Sequence, residues 1–524
     1  MRGGPGGLTA PTPLRKGPTP MKRGNTRAQF RLAPRFTGWT LAALLALPGA
    51  IAAGDNGNNE HDAAEAVVDA PVPVEDDEDA LAPAEVKERD PQQDLLQVYR
   101  LALEADRSLA AALNRRRAAD EEIAQARSQF LPQITASAGY EDETQDIEDV
   151  PEDLDTSGWD ASLSLTQPIF RRGNFIDLER ARTAVDRADV ELSLAEQALV
   201  VDVTEAYFDV LLAQDEQALV EAELAAVESQ LRRAERALEV GTGTQTDVDE
   251  ARAAFDRVRA EQVAVDNQVE VAQQALRRLT GELPGELAGL GETFEPKPVE
   301  PTDTDHWVDL AQRYNLEVRL AERDDQLARH DVESQRADRW PEVELEGRLT
   351  RFDGERDQLA GATSGGAGTG INTQDGYTDT RSIRLQVSVP LYTGGAISSR
   401  VRQAEAERTA ASDDLADQRR AAALDARSAF LGLTSELERV RALEQALVSA
   451  RSNEASVRRG QEVGTRTTTD VLDAQSQRFE TKRDLAAARY DYLLNFVQLQ
   501  VAAGLAVDET VIREVNEQLQ SVSR

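Results

Sequence analysis

Two short stretches of the chain are nearly identical. Residues 463–471 read VGTRTTTDV, and residues 240–248 read VGTGTQTDV, 223 positions earlier. In each stretch a glycine, which commonly ends a helix, is followed by a threonine and an aspartate three positions apart, which form the capping box of a new helix. We therefore expect a tight helix–turn–helix at both places, with Gly241 and Gly464 at the tips.

The agreement continues on both sides of these turns, at an offset of 222 or 223 residues. SLTQPIF at 164–170 matches QVSVPLY at 386–392, and AYF at 206–208 matches AFL at 429–431. An offset that stays fixed over so long a stretch indicates an internal duplication, so both halves should fold alike. The predicted segments are a first repeat at 93–283, a Pro-rich linker at 284–304, a second repeat at 305–504 and a C-terminal tail at 505–524.

Each half contains one very long helical pattern without proline, at about 174–240 and at about 397–463. At 1.5 Å per residue each helix would reach roughly 100 Å. A helix of that length needs helical neighbours, which predicts coiled packing. We expect two half-length helices to stack end to end beside each long helix; the shorter helices are predicted at about 94–130, 247–279, 306–338 and 470–503.

Between these helices the pattern changes to strict alternation of apolar and polar residues. Such runs lie at 134–140, 159–165, 343–349 and 383–391. With the residues that flank it, each run is about ten residues long, the length with which a tilted strand crosses a bilayer. Each run has one polar face, which is suited to a water-filled lumen. Four strands cannot close a barrel, and open edges do not survive in lipid. The chain is therefore expected to oligomerise around one shared barrel.

Aromatic residues mark the ends of these runs, where interfacial belts are found in membrane barrels. The candidates are Tyr140, Trp159, Trp340 and Tyr392. Structural packing is the alternative interpretation for the two tryptophans. The first hairpin loop, 141–157, holds nine acidic residues and no basic one. Long polar loops of this kind are typical of the extracellular side of a barrel.

The N-terminal region has the pattern of an export signal. Residues 1–54 contain eight Lys or Arg and no acid. Within this region, an apolar core at 39–47 is followed by an Ala-x-Ala pattern at 50–52. We assign 1–53 to a secretory signal peptide, with a basic disordered arm as the alternative; a start at Met21 would give better proportions than Met1. Residues 54–92 are acidic with few periodic apolar residues, which predicts a disordered leader.

Composition excludes several classes of function. The formal net charge of the 524-residue chain is −36, which argues against nucleic-acid binding. Cysteine is absent and only three histidines occur, which excludes disulfides and thiolate sites and makes a histidine-based active site improbable. The sequence contains no P-loop, nucleophile elbow or metal motif. We predict no enzymatic activity, no cofactor and no metal.

The order of strands, helices and turns resembles that of the TolC family of outer-membrane efflux and secretion channels. The motifs that carry the resemblance are QPIF at 167–170 and VGTRTTTDVLDAQ at 463–475, and the likeness covers roughly residues 93–520. It implies an α+β membrane protein that forms a homotrimer. Twelve strands, four from each chain, would form one transmembrane β-barrel, continued through the periplasm by a long α-helical coiled-coil barrel.

The resemblance also implies roles for residues at the helix tips, which form the periplasmic entrance in that family. By position, Asp470 and Asp473 would form acidic rings at a closed aperture. Arg466 and Asp247, with Thr246 beside the latter, would link the tips. Gln461 stands where the family member that the chain most resembles has a tyrosine, so that one link is expected to differ.

Helix capping is the simpler interpretation of two of these carboxylates. An acid in the first turn of a helix is favourable because of the helix dipole alone, and this suffices for Asp247 and Asp470. Asp473 lies one turn further along, where capping does not explain it. Arg466 would then be an ordinary exposed turn residue.

The predicted function is a passive exit duct in the outer membrane of a Gram-negative bacterium, with a periplasmic helical extension. It would serve tripartite efflux pumps, type I secretion or both. The expected partners are two further copies of the chain, a periplasmic adaptor protein, an inner-membrane RND, ABC or MFS transporter, and outer-membrane lipid. A trimeric coiled-coil surface adhesin is the alternative, although an adhesin would not place duplicated strand pairs between long helices.

Overall fold

The structure is a computed structural model. It describes residues 93–146, 153–290, 294–360, 370–505 and 509–520. The predicted signal peptide at 1–53 and the acidic leader at 54–92 lie outside the described residues. Within the described ranges, none of the helices is both long and apolar enough to cross a bilayer.

The same order of helices and strands occurs twice along the chain. The first set is α1 (Leu95–Ala105), α2 (Arg107–Ser128), β1 (Gln133–Gln145), β2 (Leu154–Phe170), α3 (Arg172–Glu239) and α4 (Gln245–Thr280). The second set is α5 (Thr304–Tyr314), α6 (Leu316–Ala337), β3 (Glu342–Ala360), β4 (Gly370–Ser388), α7 (Ala396–Glu462) and α8 (Thr468–Ala502). A further helix, α9 (Glu509–Gln520), follows. The duplication inferred from the sequence is thus a duplication of structure.

The two long helices confirm the prediction made from the unbroken apolar pattern. α3 has 68 residues and α7 has 67, so each is about 100 Å long. α3 packs along α4 through a stripe of buried residues spaced seven apart, Val220, Val227 and Ala234, which faces Ala251 and Val258 of α4. Seven-residue spacing is the signature of coiled-coil packing.

The two helices that precede each strand pair were predicted as one, and that prediction is wrong. Asp106 ends α1 and caps α2, because its carboxylate accepts a hydrogen bond from the backbone N–H of Leu109 at 2.7 Å. Asn315 divides α5 from α6 in the same way, accepting from Glu317 at 2.9 Å. A short polar side chain that bonds to the backbone competes with helix continuation. The two breaks occur at corresponding points of the repeats.

The four strands form one antiparallel sheet in the order β1-β2-β3-β4. Their lengths are 13, 17, 19 and 19 residues, longer than the predicted ten. The register joins Ile134 to Leu165 and Leu345 to Leu385, which places the apolar positions on one shared face. In the described sheet, β1 and β4 each have one edge without a strand partner.

The sheet curls around its polar face. On β2 the apolar-face residues Trp159 and Ala161 are exposed, whereas Gly158, on the polar face, is buried. Phe352 also lies on the polar face and is only 7% exposed. The apolar face is therefore convex, and near Trp159 it is the more exposed of the two faces in a single chain.

The main core lies beside the middle of the long helices and includes segments that were predicted to be only a linker and a tail. Leu287 and Phe294 of the linker are buried in it, as is Ile512 of α9. Tyr207 of α3 donates its hydroxyl hydrogen bond to the carbonyl of Ala288 at 2.7 Å. The linker therefore runs through this core and is fixed there by hydrogen bonds.

Candidate functional site

The two helix–turn tips are built alike, as the paired sequences predict. Gly241 and Gly464 have φ values of 76° and 77°, the left-handed conformation that lets the chain leave a helix without strain. The next helix begins at once in each case, with Thr244 and Thr467 as N-caps. Each turn thus reverses the chain within a few residues.

The two aspartates of the capping boxes are held in their ionised form. Asp247 accepts hydrogen bonds from the Thr244 hydroxyl at 2.6 Å and from its backbone N–H at 3.0 Å. These bonds lower the pKa of Asp247. The pKa of Asp470 is lowered by the corresponding backbone and hydroxyl bonds of Thr467, with a smaller contribution from Arg466. Both carboxylates therefore cap their helices, and both remain charged at neutral pH.

A hydrogen-bonded relay connects the second tip to the first. Gln461 at the end of α7 donates from Nε2 to the hydroxyl of Thr468 at 3.3 Å. The Thr468 hydroxyl in turn lies close enough to the Asp247 carboxylate of α4 to make a small contribution to its lowered pKa. Two predicted linking residues, Gln461 and Asp247, are therefore joined through a residue that the sequence did not single out.

A second bond runs parallel to this relay. Thr469 donates its hydroxyl hydrogen bond to the carboxylate of Glu250 on α4. Neither Thr469 nor Glu250 was predicted to be a site residue. The available signal was the run of three threonines at 467–469, of which the cap explains only the first.

Arg466 does not pair with Asp247 within the described chain. Its guanidinium lies 3.7 Å from Asp470, and it is 57% exposed. Its side chain passes over Gly460, where a Cβ atom would lie 2.7 Å from Arg466 Cγ. Because an i,i+4 pair this exposed contributes little, Arg466 remains accessible to an acid on another chain.

The other two predicted tip residues are open to solvent. Asp473 is exposed, one turn beyond Asp470 on α8, and has no hydrogen-bond or ion-pair partner among the described residues. Thr246 is exposed beside Asp247. The second turn of α8 therefore presents the carboxylate of Asp473 to solvent. No group of three metal-ligating side chains is found there or elsewhere in the described ranges.

Above the tips, a buried carboxylate joins three helices. Glu223 of α3 is 1% exposed, and its pKa is raised by burial. Arg483 of α8 lies 3.6 Å from Glu223 and 2.6 Å from Glu261 of α4. Removing the cation of such a group is costly, since it leaves a buried charge unpaired. Arg483 therefore fixes α8 against the α3–α4 pair.

The predicted belt aromatics lie at two levels of the sheet. Tyr140 and Trp159 are register partners with ring centroids 5.4 Å apart, but they lie within their strands because both strands extend five residues further than predicted. Trp340 lies two residues before β3, with the guanidinium carbon of Arg172 5.1 Å from its ring centroid. Tyr392 is 89% exposed between β4 and α7. All four are accessible on the single chain.

The family of the protein follows from comparison with known sequences. A family model described as outer membrane efflux protein matches residues 98–282 and 307–505, the two repeats of this fold. The chain belongs to that family. Outer membrane efflux proteins are Gram-negative outer-membrane channels with a periplasmic helical extension, so this chain is an outer-membrane channel of that kind, and the adhesin alternative is not supported.

Individual relatives agree with this assignment. The chain is 33% identical over 420 residues to the outer membrane protein TolC of Vibrio cholerae serotype O1. This alignment covers 80% of the present chain and 92% of that protein. The chain is 31% identical over 421 residues to the alkaline protease secretion protein AprF of Pseudomonas aeruginosa, covering 78% and 84%. In fold it is similar to the outer membrane protein VceC from Vibrio cholerae, with a TM-score of 0.62 at 20% identity, covering 78% and 96%.

Proposed function

We propose that three copies of the chain form one passive exit duct, in which twelve strands close a transmembrane barrel and the long helices continue it into the periplasm. The observation that carries this proposal is the pair of unpartnered sheet edges on β1 and β4. An open edge cannot remain in lipid. Pairing β4 of one protomer with β1 of the next satisfies both edges and closes the ring.

The height of the apolar face fits a membrane. Val343 near the helix end of β3 and Asp353, the register partner of Trp159, are ten residues apart. At about 3.4 Å per residue and a strand tilt of about 40°, this corresponds to about 26 Å along the membrane normal. An outward apolar band of about 25 Å is typical of outer-membrane barrels. Trp340 and Tyr392 would mark its periplasmic border, and Tyr140 and Trp159 its outer border.

The duct would be closed at the helix tips by charge and by hydrogen bonds. Asp470 and Asp473 from three chains would bring six carboxylates into one aperture, where they repel each other and attract cations. Arg466 would offset that repulsion by pairing with Asp247 of a neighbouring protomer. The Thr468 relay to Asp247 would hold the two hairpins of each chain together in the same resting state.

The duct has no energy source of its own, so the proposal includes partners. A periplasmic adaptor protein that binds the tips and separates them would shift the equilibrium towards the open state. An inner-membrane RND, ABC or MFS transporter would supply the energy. The similarity to a protein named for alkaline protease secretion makes type I protein secretion a function to test beside efflux.

The trimeric barrel can be tested by cross-linking, because the chain contains no cysteine. Gln133→Cys and Ser388→Cys place one thiol at the helix end of each edge strand. A short bis-maleimide is expected to give dimers and trimers from the double variant and nothing larger. Each single variant serves as the control and should stay monomeric. Cross-linked species that grow beyond trimers would contradict a closed three-chain ring.

The gate can be tested by single-channel recording in planar bilayers. Wild type is expected to give small cation-selective steps that enlarge in Arg466→Ser. Arg441→Ser is the matched control, since Arg441 forms an exposed ion pair with Glu438 at 2.6 Å in the middle of α7. Conductance steps of equal size in wild type and Arg466→Ser would still support the duct, but they would show that Arg466 does not help to close the gate. A correctly inserted trimer without conductance would overturn the duct itself.

A further inference from the structure

The register aligns a row of residues across all four strands on the convex face. Tyr140 pairs with Trp159, Trp159 with Asp353, and Asp353 with Tyr377. Tyr377, which the sequence analysis missed, is 71% exposed. The long helices leave the sheet at its opposite end, so this row lies on the side of the hairpin loops. In an outer-membrane channel with periplasmic helices, that side faces the outer leaflet.

Next to this row, on the side of the apolar band, the convex face carries two arginines and one aspartate. Arg351 donates to both carboxylate oxygens of Asp379, at 2.7 and 2.8 Å, with its guanidinium carbon 5.3 Å from the Tyr377 ring centroid. Arg381, two residues from Asp379 on the same face, is exposed and forms no hydrogen bond or ion pair with another described residue. The two arginines and Asp379 together carry a net charge of +1, which Asp353 of the aromatic row, close enough to act on Arg351, offsets. Arg381 is thus distinguished by its exposed guanidinium and not by a local excess of positive charge.

Arg381 directly borders the apolar band. Its register partner is Leu349, which pairs in turn with Leu163, and the next residue of β4 on this face is Ile383. An arginine on the lipid face is costly at the bilayer midplane and much less so near the interface. The guanidinium therefore extends towards the aromatic row, where lipid phosphates are the nearest anions.

We propose that Arg381, supported by Arg351 and the aromatic row, is a binding site for a phosphate group of the outer-leaflet glycolipid. This inference rests on the proposed barrel. A guanidinium is suited to this ligand because its planar set of donors matches the oxygens of a phosphate. Asp353 and Asp375 lie on the loop side of Arg381, so the phosphate would meet the guanidinium at the border between the aromatic row and the apolar band. The acyl chains would then lie along Leu349 and Ile383.

The test is a binding titration of the purified trimer in detergent with diphosphoryl lipid A, followed by native mass spectrometry. Arg381→Gln is expected to weaken binding at least tenfold. Arg384→Gln is the matched control, because Arg384 lies three residues further on β4, on the polar face, 3.8 Å from Glu346. It should bind lipid A as wild type does. Phosphatidylglycerol and dephosphorylated lipid A complete the series and should bind at least tenfold more weakly.

Each other outcome overturns a defined part of the inference. Equal binding by wild type and Arg381→Gln would remove Arg381 from the site, and a loss confined to Arg384→Gln would reverse the assignment of the two faces. Phosphatidylglycerol bound as tightly as lipid A would exclude a glycolipid-specific site. Single-channel recordings of the same preparations separate this inference from the proposed function. If the trimer conducts but binds no lipid A, the proposed phosphate site is overturned and the proposed duct is not. If the trimer binds lipid A but does not conduct, the proposed duct is overturned and the phosphate site is not.

Discussion

Replacing Thr468 with valine keeps the shape of the side chain and removes the relay between the two tips. The hydroxyl accepts from Gln461 at 3.3 Å and lies close enough to the Asp247 carboxylate to contribute to its lowered pKa. A neutral hydrogen bond contributes about 1 kcal/mol and one to a charged group about 1.5–3 kcal/mol. Because Thr468 is half-exposed, we take the lower end, about 2 kcal/mol per chain. That corresponds to about a 30-fold shift towards the open state for each link that breaks on opening.

The assay is the ratio of open to closed dwell times in single-channel recordings of the trimer. Thr465→Val is the matched control, since the Thr465 hydroxyl bonds only within its own turn, to the carbonyl of Gly460 at 3.1 Å. We expect Thr468→Val to raise the ratio at least 30-fold and Thr465→Val to leave it unchanged. If Thr468→Val behaves like its control, the relay does not hold the tips closed.

The same link predicts a pH dependence. The pKa of Asp247 is lowered from its ordinary value of 3.8, mainly by the bonds from Thr244. The ionised form of Asp247 is the one that accepts these bonds. Its contribution to the closed state is therefore complete above pH 3.8, the ordinary pKa, and is lost as the pH falls through the lowered pKa. Wild-type open dwell times should therefore lengthen only below about pH 3.8. Thr468→Val should show a weaker response, and a wild-type transition near neutral pH would contradict this assignment.

Three further predictions concern stability. Arg483→Gln leaves the buried Glu223 carboxylate with Arg257, 4.0 Å away, as its only cation, and should destabilise the protein by less than the about 3–5 kcal/mol that a buried carboxylate without any cation costs. The double variant with Glu223→Gln should recover most of the lost melting temperature. Gly354→Ala would place a Cβ atom 2.2 Å from the Ser157 carbonyl oxygen and should reduce the yield of folded trimer. Gly347→Ala is the control and should be tolerated, because the new Cβ atom would lie 3.9 Å from its nearest neighbour, the Cβ atom of Leu165. Tyr207→Phe removes the hydroxyl bond to the linker and should lower the unfolding free energy by about 1–2 kcal/mol, measured by denaturant titration.

The long helices and the strand positions could be predicted because their signals are repeated over many residues. A helical pattern without proline over some seventy positions fixes the bounds of α3 and α7 to within two residues. The break at Asp106 could not be separated from an ordinary polar helix position, since one aspartate both interrupts the pattern and begins a new one. Strand length was underestimated because alternation becomes polar on both faces beyond Tyr140, while backbone pairing continues to Gln145.

At the candidate site the two helix caps were predicted, but the bonds that connect the two hairpins were not. The paired turns identify Asp247 and Asp470 as first-turn acids, and their caps follow from the local sequence alone. The bonds from Thr468 and Thr469 depend on how the second hairpin lies against α4, which no local pattern encodes. Arg466 illustrates the same limit. Its charge was evident from the sequence, whereas its partner within the chain, Asp470, depends on the path of its side chain over Gly460.

The unpartnered edges of β1 and β4 have a genetic consequence. In the proposed ring every protomer supplies one edge of each kind, so a subunit with one damaged edge leaves a gap that its two neighbours cannot close. In a cell that makes normal and edge-damaged chains in equal amounts and mixes them at random, only about one trimer in eight would contain three normal chains. Damage to an edge strand should therefore act dominantly, whereas the loss of a whole gene copy would halve the number of channels and leave each of them intact.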